Sequence, residues 1–140
     1  MQYEARIVIC TNQHSITDGE ELQEQFDYNG TVFEKNGAFY IGYVQKDEGS
    51  IETQNRLIAY EDKIVRTSKG DSFSRMEFVP GKETKTMYAT AYGTFDMTFM
   101  TKYYSIKKVD EKLSIELEYI LSINGEPSSE MTMSVVATAL

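Results

Sequence analysis

Basic residues, cysteine and histidine are all scarce in this chain, and each shortage removes a class of function. Lys and Arg total 14 against 22 Asp and Glu, leaving a formal charge of −8 over 140 residues. A phosphate backbone or an anionic bilayer is gripped by a basic face, so neither nucleic acid nor membrane is an expected partner. A single Cys cannot close an intramolecular disulfide, and no CxxC occurs. One His beside one Cys is too small a set of donors for zinc, so no metal and no cofactor are expected. Long apolar runs are missing too. Nothing approaches the ~20 residues of a membrane helix. The stretch Ile7–Cys10 falls short of the ~7–15 residues of a secretory signal. A lone Cys without an export signal fits a reducing compartment, and the expected location is the cytoplasm. Gly-x-Gly-x-x-Gly, the P-loop and Gly-x-Ser-x-Gly do not occur. No catalytic residue is assigned, and an enzyme is not the expected reading.

What the chain has in quantity is alternation. Leu113, Ile115, Leu117, Tyr119, Leu121 and Ile123 interleave with Ser114, Glu116, Glu118, Ile120 and Ser122. A period of two with one dry and one wet face predicts a long antiparallel strand. Met131, Met133, Val135 and Ala137 repeat the pattern beyond the turn Asn124-Gly125-Glu126-Pro127, as do Phe95, Met97 and Phe99 earlier. Asn36-Gly37 predicts a type I′ hairpin joining Thr31–Lys35 to Ala38–Val44, with Val32 facing Ile41 and Phe33 facing Tyr40. Leu22, Phe26 and Tyr28 favour strand over a short helix. Further strands are expected over Arg6–Gln13, Thr53–Tyr60, Lys63–Thr67, Phe73–Val79 and Thr86–Tyr92, separated by turns such as Asp47-Glu48-Gly49 and Lys69-Gly70-Asp71. No 3.6-residue stripe stands out. Residues 1–140 therefore read as one all-β domain, an antiparallel barrel of about eight to ten strands, because closure removes the exposed edges of an open sheet.

The single residues of chemical interest have plain structural readings. His14 reads as a solvated loop residue and Cys10 as a small hydrophobe on a strand. The pairs Glu20-Glu21, Asp47-Glu48, Glu61-Asp62 and Asp110-Glu111 fall in predicted turns, where charge keeps a protein soluble. Glu24 and Glu34 interrupt apolar faces, which fits a strand end or rim. Arg66 shares the parity of Ile64 and points inward; Arg75 alternates with Met76 and Phe78 and points outward. Val136 and Ile120, with Tyr104 and Ile106, are expected to add apolar surface outside the barrel, a patch that a homodimer would bury.

Several of these residues also form a known pattern. Gly70 is followed by Met76, Phe78 and Pro80-Gly81, then by Tyr88-Ala89-Thr90-Ala91-Tyr92-Gly93, Met97 and Thr101, and later by the strand bearing Tyr119 and the last strand. This resembles the bacterial YwiB-like family of unknown function, and the resemblance implies a calycin-type (lipocalin-like) β-barrel. It extends over nearly the whole chain, with Tyr-x-Thr-x-Tyr-Gly its most specific part. The chain departs at Ala91, where the family usually has Pro, and at Ser68, where it tends to have Arg; Arg66 lies two positions earlier. The resemblance implies a fold and no reaction.

Ten Tyr, seven Phe and seven Met, placed mostly on strands, suit the lining of a ligand cavity as well as a packed core. Two functions follow. In the first, the barrel binds a small apolar or amphipathic molecule at an internal site lined by Arg66, Met76, Phe78, Tyr88, Thr90, Tyr92, Met97 and Tyr119, with Arg66 as the natural partner of a carboxylate. In the alternative, the barrel is filled and the protein is an interaction module, as a homodimer.

Overall fold

Ten strands follow one another without a helix among the described residues: β1 (Gln2–Ser15), β2 (Glu21–Lys35), β3 (Ala38–Lys46), β4 (Glu52–Ala59), β5 (Ile64–Lys69), β6 (Phe73–Phe78), β7 (Glu83–Thr90), β8 (Gly93–Val109), β9 (Lys112–Ile123) and β10 (Glu126–Ala139). The structure, a computed structural model, describes residues 2–46, 52–70, 73–90 and 93–140, the side chains of 88–90 excepted. The turn expected at Asp47-Glu48-Gly49, the residue Asp71 and the pair Ala91-Tyr92 lie outside it. All pairings are antiparallel, in the order β6-β5-β4-β3-β2-β1-β10-β9-β8-β7. The chain is thus an up-and-down meander whose first and last strands pair, and the expected all-β antiparallel barrel is what it forms.

Where β6 meets β7 the barrel is nearly closed, and side chains bridge the two strands. Thr84 Oγ1 donates to the Glu77 carbonyl, and Thr86 Oγ1 to that of Arg75 at 2.9 Å. Inside the seam the Phe78 ring sits 4.9 Å from Phe99 and 4.7 Å from Tyr119, centroid to centroid. The hairpin at Asn36-Gly37 has the positive φ angles of a type I′ turn, 53° and 79°, and sets the counted register, Val32 to Ile41 and Phe33 to Tyr40.

The even strand alternation fills the interior from inward positions of every long strand: Ile7, Val32, Ile41, Leu57, Phe99, Leu113, Ile115, Leu117 and Val135 are buried together. One correction concerns β8. Its register against β9 slips between Thr101 and Tyr103, so two residues of β8 share one place in the ladder. The extra residue reverses the parity. Tyr104 and Ile106, expected on the outside, pack against the core, and the Tyr104 hydroxyl donates to the Tyr60 carbonyl at 2.6 Å. The outer patch that rested on them does not exist in that form.

Candidate functional site

Three rows of paired inward residues cross β3 to β6, and their chemistry changes along the barrel axis. The row nearest the Asn36-Gly37 hairpin is Phe39, Ala59, Ile64 and Phe78; the next is Ile41, Leu57, Arg66 and Met76. The third is Tyr43, Asn55, Ser68 and Ser74. One end of the interior is therefore packed hydrocarbon and the other is polar. The packed end is sealed: Lys108 Nζ pairs with Glu34 Oε2 at 3.6 Å, 5.9 Å above the Tyr3 ring and 5.6 Å above Phe39. Glu34 occupies the rim position that its place in the strand suggested, and Glu24 is exposed.

Arg66 stands at the boundary. It pairs across the sheet with Leu57 and Met76, two residues of the inner face. Its Nε is shut off from solvent and has no acceptor among the described residues. None of the ion pairs described involves it. A guanidinium does not shed its proton, so the charge is carried into this half-buried position uncompensated by a carboxylate of the described chain. Around it are two phenols. Burial pushes the Tyr43 hydroxyl pKa up, and the Arg66 guanidinium beside it pulls it part of the way back. Tyr119 is shifted upward for the same reason and opposed by the same charge. Both phenols are protonated near neutrality and can donate. Beyond Tyr43 the rings of Tyr28, at 4.6 Å, and Phe26, 6.4 Å further on, continue an aromatic stack toward the open end. Asn55, buried, accepts a 2.6 Å hydrogen bond from Ser68.

The ladder between β2 and β3 stops at Gly30 opposite Tyr43. Gly30 is required there: a Cβ would collide with the Gly42 carbonyl and sit 2.6 Å from Ile7 Cδ1. Beside this parting a groove of about 630 Å³ runs over the outer face of the sheet, with Thr31, Val44, Gln54, Arg56, Thr67 and Lys69 in its lining.

Of the residues singled out from sequence, Arg66, Met76, Phe78, Met97 and Tyr119 all face the interior. Phe78 and Tyr119 touch each other; Phe78 is packed core. Tyr88 and Thr90 take backbone positions opposite Phe95 and Gly93 in the β7–β8 ladder. Tyr92 lies outside the described residues. Sequence reading missed Tyr43, Asn55, Ser68 and Tyr28. Asn55 is in phase with Leu57 and Ala59, and Ser68 with Ile64 and Arg66, so a polar residue at inward parity was the available signal. Arg75 is exposed and pairs with Glu77 at 3.2 Å. His14 pairs with Glu21 at 3.4 Å on the surface. Among the described residues no group of three or more His, Cys, Asp or Glu could hold a metal ion, and no helix is long and apolar enough to cross a membrane.

This architecture defines the class: a ten-stranded antiparallel barrel with an apolar floor and an arginine-bearing polar half. Residues 7–135 match the family described as a domain of unknown function, DUF1934, and the chain belongs to it. It is similar to the ywiB protein of Bacillus subtilis, whose crystal structure superposes with a TM-score of 0.85 at 16% identity, covering 99% of this chain and 93% of that one. At that identity the likeness is one of fold. No curated protein matches.

Proposed function

We propose that the chain binds a small amphipathic carboxylate in the polar half of its interior, the head group at Arg66 and the tail among Met76, Met97 and the aromatic rings. The observation that carries this reading is the Arg66 Nε, buried without an acceptor among the described residues beside two protonated phenols. Three donors of this kind suit an anion better than a neutral group, and a planar guanidinium suits a carboxylate. The packed floor limits the ligand to the polar half of the barrel.

The test is displacement of 11-(dansylamino)undecanoic acid from the wild type and from Arg66→Met, which keeps the apolar stem and removes the charge. The wild type should bind saturably, and the variant about ten- to a hundredfold more weakly, as expected for a lost charged hydrogen bond. Its stability to urea should be unchanged or higher, since an unpaired interior charge stabilises nothing. No saturable binding across a panel of fatty and aromatic acids, or equal binding by the variant, refutes the proposal.

A further inference from the structure

Gly42 lies at the centre of β3, paired with Thr31 of β2 on one side and with Arg56 of β4 on the other. A glycine inside a strand weakens it and calls for a reason. Backbone geometry supplies none, because Gly42 is not among the glycines of positive φ. Packing supplies none either: a Cβ there would make ordinary contacts, 3.5 Å to Thr31 Oγ1 and 4.0 Å to the Asn55 carbonyl. What the missing side chain does is leave a socket on the outer face. Thr31 and Arg56 are two strands apart, so their Cα atoms are about 9–10 Å apart, and the row has no side chain between them. Two grooves meet at this socket. One, of about 460 Å³, takes in Phe33, Lys35 and Tyr40; the other, of about 630 Å³, takes in Thr67 and Lys69; Thr31, Gly42 and Arg56 belong to both. Neither lining holds an Asp or a Glu, although acids outnumber bases 22 to 14 in the chain. Lys35, Arg56 and Lys69 enter none of the ion pairs described. Acids at outward positions of β4 and β6 are already engaged, Glu52 with Lys46 and Glu77 with Lys63 and Arg75. Glu4 follows Thr31 on the row, on the side away from Arg56.

We propose that this socket holds the phosphate of a small aromatic phosphate monoester. Seated over Gly42, the phosphate takes the Arg56 fork from one side and the Thr31 hydroxyl from the other, with Lys69 adding charge. A dianion with three free oxygens uses such a set of donors more fully than a carboxylate, which has two. The aromatic carrier follows from Tyr40. It stands two residues from Gly42 on the same face, and its ring packs against Phe33 with centroids 6.0 Å apart in the lining of the first groove. A ring carried on the phosphate stacks on that surface. Each groove has the volume of a small-molecule site. The socket is on the opposite face of the sheet from Arg66 and is independent of any ligand there.

Phenyl phosphate, AMP and inorganic phosphate, each titrated into isotope-labelled protein and followed by amide chemical shifts, test this. Phenyl phosphate and AMP should move the Thr31, Gly42 and Arg56 amides saturably, and bind about three- to tenfold more tightly than inorganic phosphate, which has no ring to stack. Arg56→Gln should weaken phenyl phosphate about ten- to a hundredfold, as a lost charged hydrogen bond does. Gly42→Ala should fill the socket and weaken binding by at least about tenfold, with the melting temperature unchanged or raised, because Ala suits a strand better than Gly. Arg66→Met should bind all three probes as the wild type does. Absence of saturable shifts at these amides at millimolar probe overturns the proposal, and so does a Gly42→Ala chain that binds as the wild type. A Gly42→Ala chain that loses stability shows that the glycine serves the fold, which removes the argument and overturns it as well. Inorganic phosphate binding as tightly as phenyl phosphate refutes the aromatic carrier.

Discussion

Replacing Phe78 by Ala should cost this barrel more than any substitution on an outward position of the same strand. β6 ends the hydrogen-bonded order, so across the seam to β7 it is held by Thr84, Thr86 and the packing of this ring. Phe78 is 3% exposed and touches Phe99 and Tyr119, which belong to β8 and β9 on the far side of the opening. Core Phe→Ala changes cost about 3–5 kcal/mol, a range that already contains the ~0.5–1.5 kcal/mol of each aromatic pair. The upper part of the range applies, because loss of the ring leaves a void between strands that no ladder holds together. Against a total stability of about 5–15 kcal/mol this is a large fraction. At about 3 °C per kcal/mol for a chain of this length, the melting temperature should fall by about 10–15 °C. Urea unfolding followed by circular dichroism gives the magnitude. Hydrogen exchange gives the place: amides of β5 and β6 should lose protection before those of the β1–β10 pair. Phe73→Ala, on the same strand but 66% exposed, should change stability by less than about 0.5 kcal/mol. A loss below about 1 kcal/mol for Phe78→Ala, or protection lost evenly over all strands, would refute the idea that this ring holds the seam.

Two further outcomes follow from buried polar atoms. Thr101 is 1% exposed and its hydroxyl has no hydrogen-bond partner among the described residues, so Thr101→Val should raise stability by about 1–2 kcal/mol in thermal melts; a loss would mean the hydroxyl is satisfied. Tyr43 and Tyr119 have pKa values above the ordinary 10.0, so their native state holds protons that the unfolded chain releases. That stability is fully present below about pH 10 and is lost as pH rises toward the native values, by up to about 1.4 kcal/mol per pH unit for each phenol. Urea midpoints between pH 9 and 11.5 should fall accordingly, and less steeply in Tyr119→Phe.

The parts of the fold legible in the sequence are those where period-two alternation ran unbroken into a recognisable turn. Leu113–Ile123 and Met131–Ala137 are such cases, and Asn36-Gly37 fixed a register as well as a turn, because its φ values admit one hairpin geometry. The bulge at β8 was not legible. Thr101-Lys102-Tyr103-Tyr104 offers two adjacent tyrosines, either of which satisfies the inner face, so pattern alone cannot say where the parity turns over. The parting of β2 from β3 was hidden for a different reason: alternation reports which face a residue takes, not how far its neighbour accompanies it. Of the candidate site, the inward position of Arg66 was legible from its parity with Ile64. Asn55 and Ser68 were passed over, although they carry the same signal in polar form.

The division of the interior also bears on why Arg66 is there at all. The apolar residues of this chain pack together around one end of the interior. Small residues help: Ala5, Ala59 and Ala137 lie among the buried set and let the large side chains of neighbouring strands meet. The Lys108–Glu34 pair lies over that packed end. A Met or Leu at position 66 would extend the hydrocarbon by one residue in each direction, toward Met76 and Leu57, and would spare the cost of an unpaired charge. An arginine, a buried amide and protonated phenols in that space run against the local rule for a core. Where local rules are broken inside an otherwise consistent fold, the usual reason is a site. The break in that rule at Arg66, Asn55 and the phenols is thus what supports the binding reading proposed above.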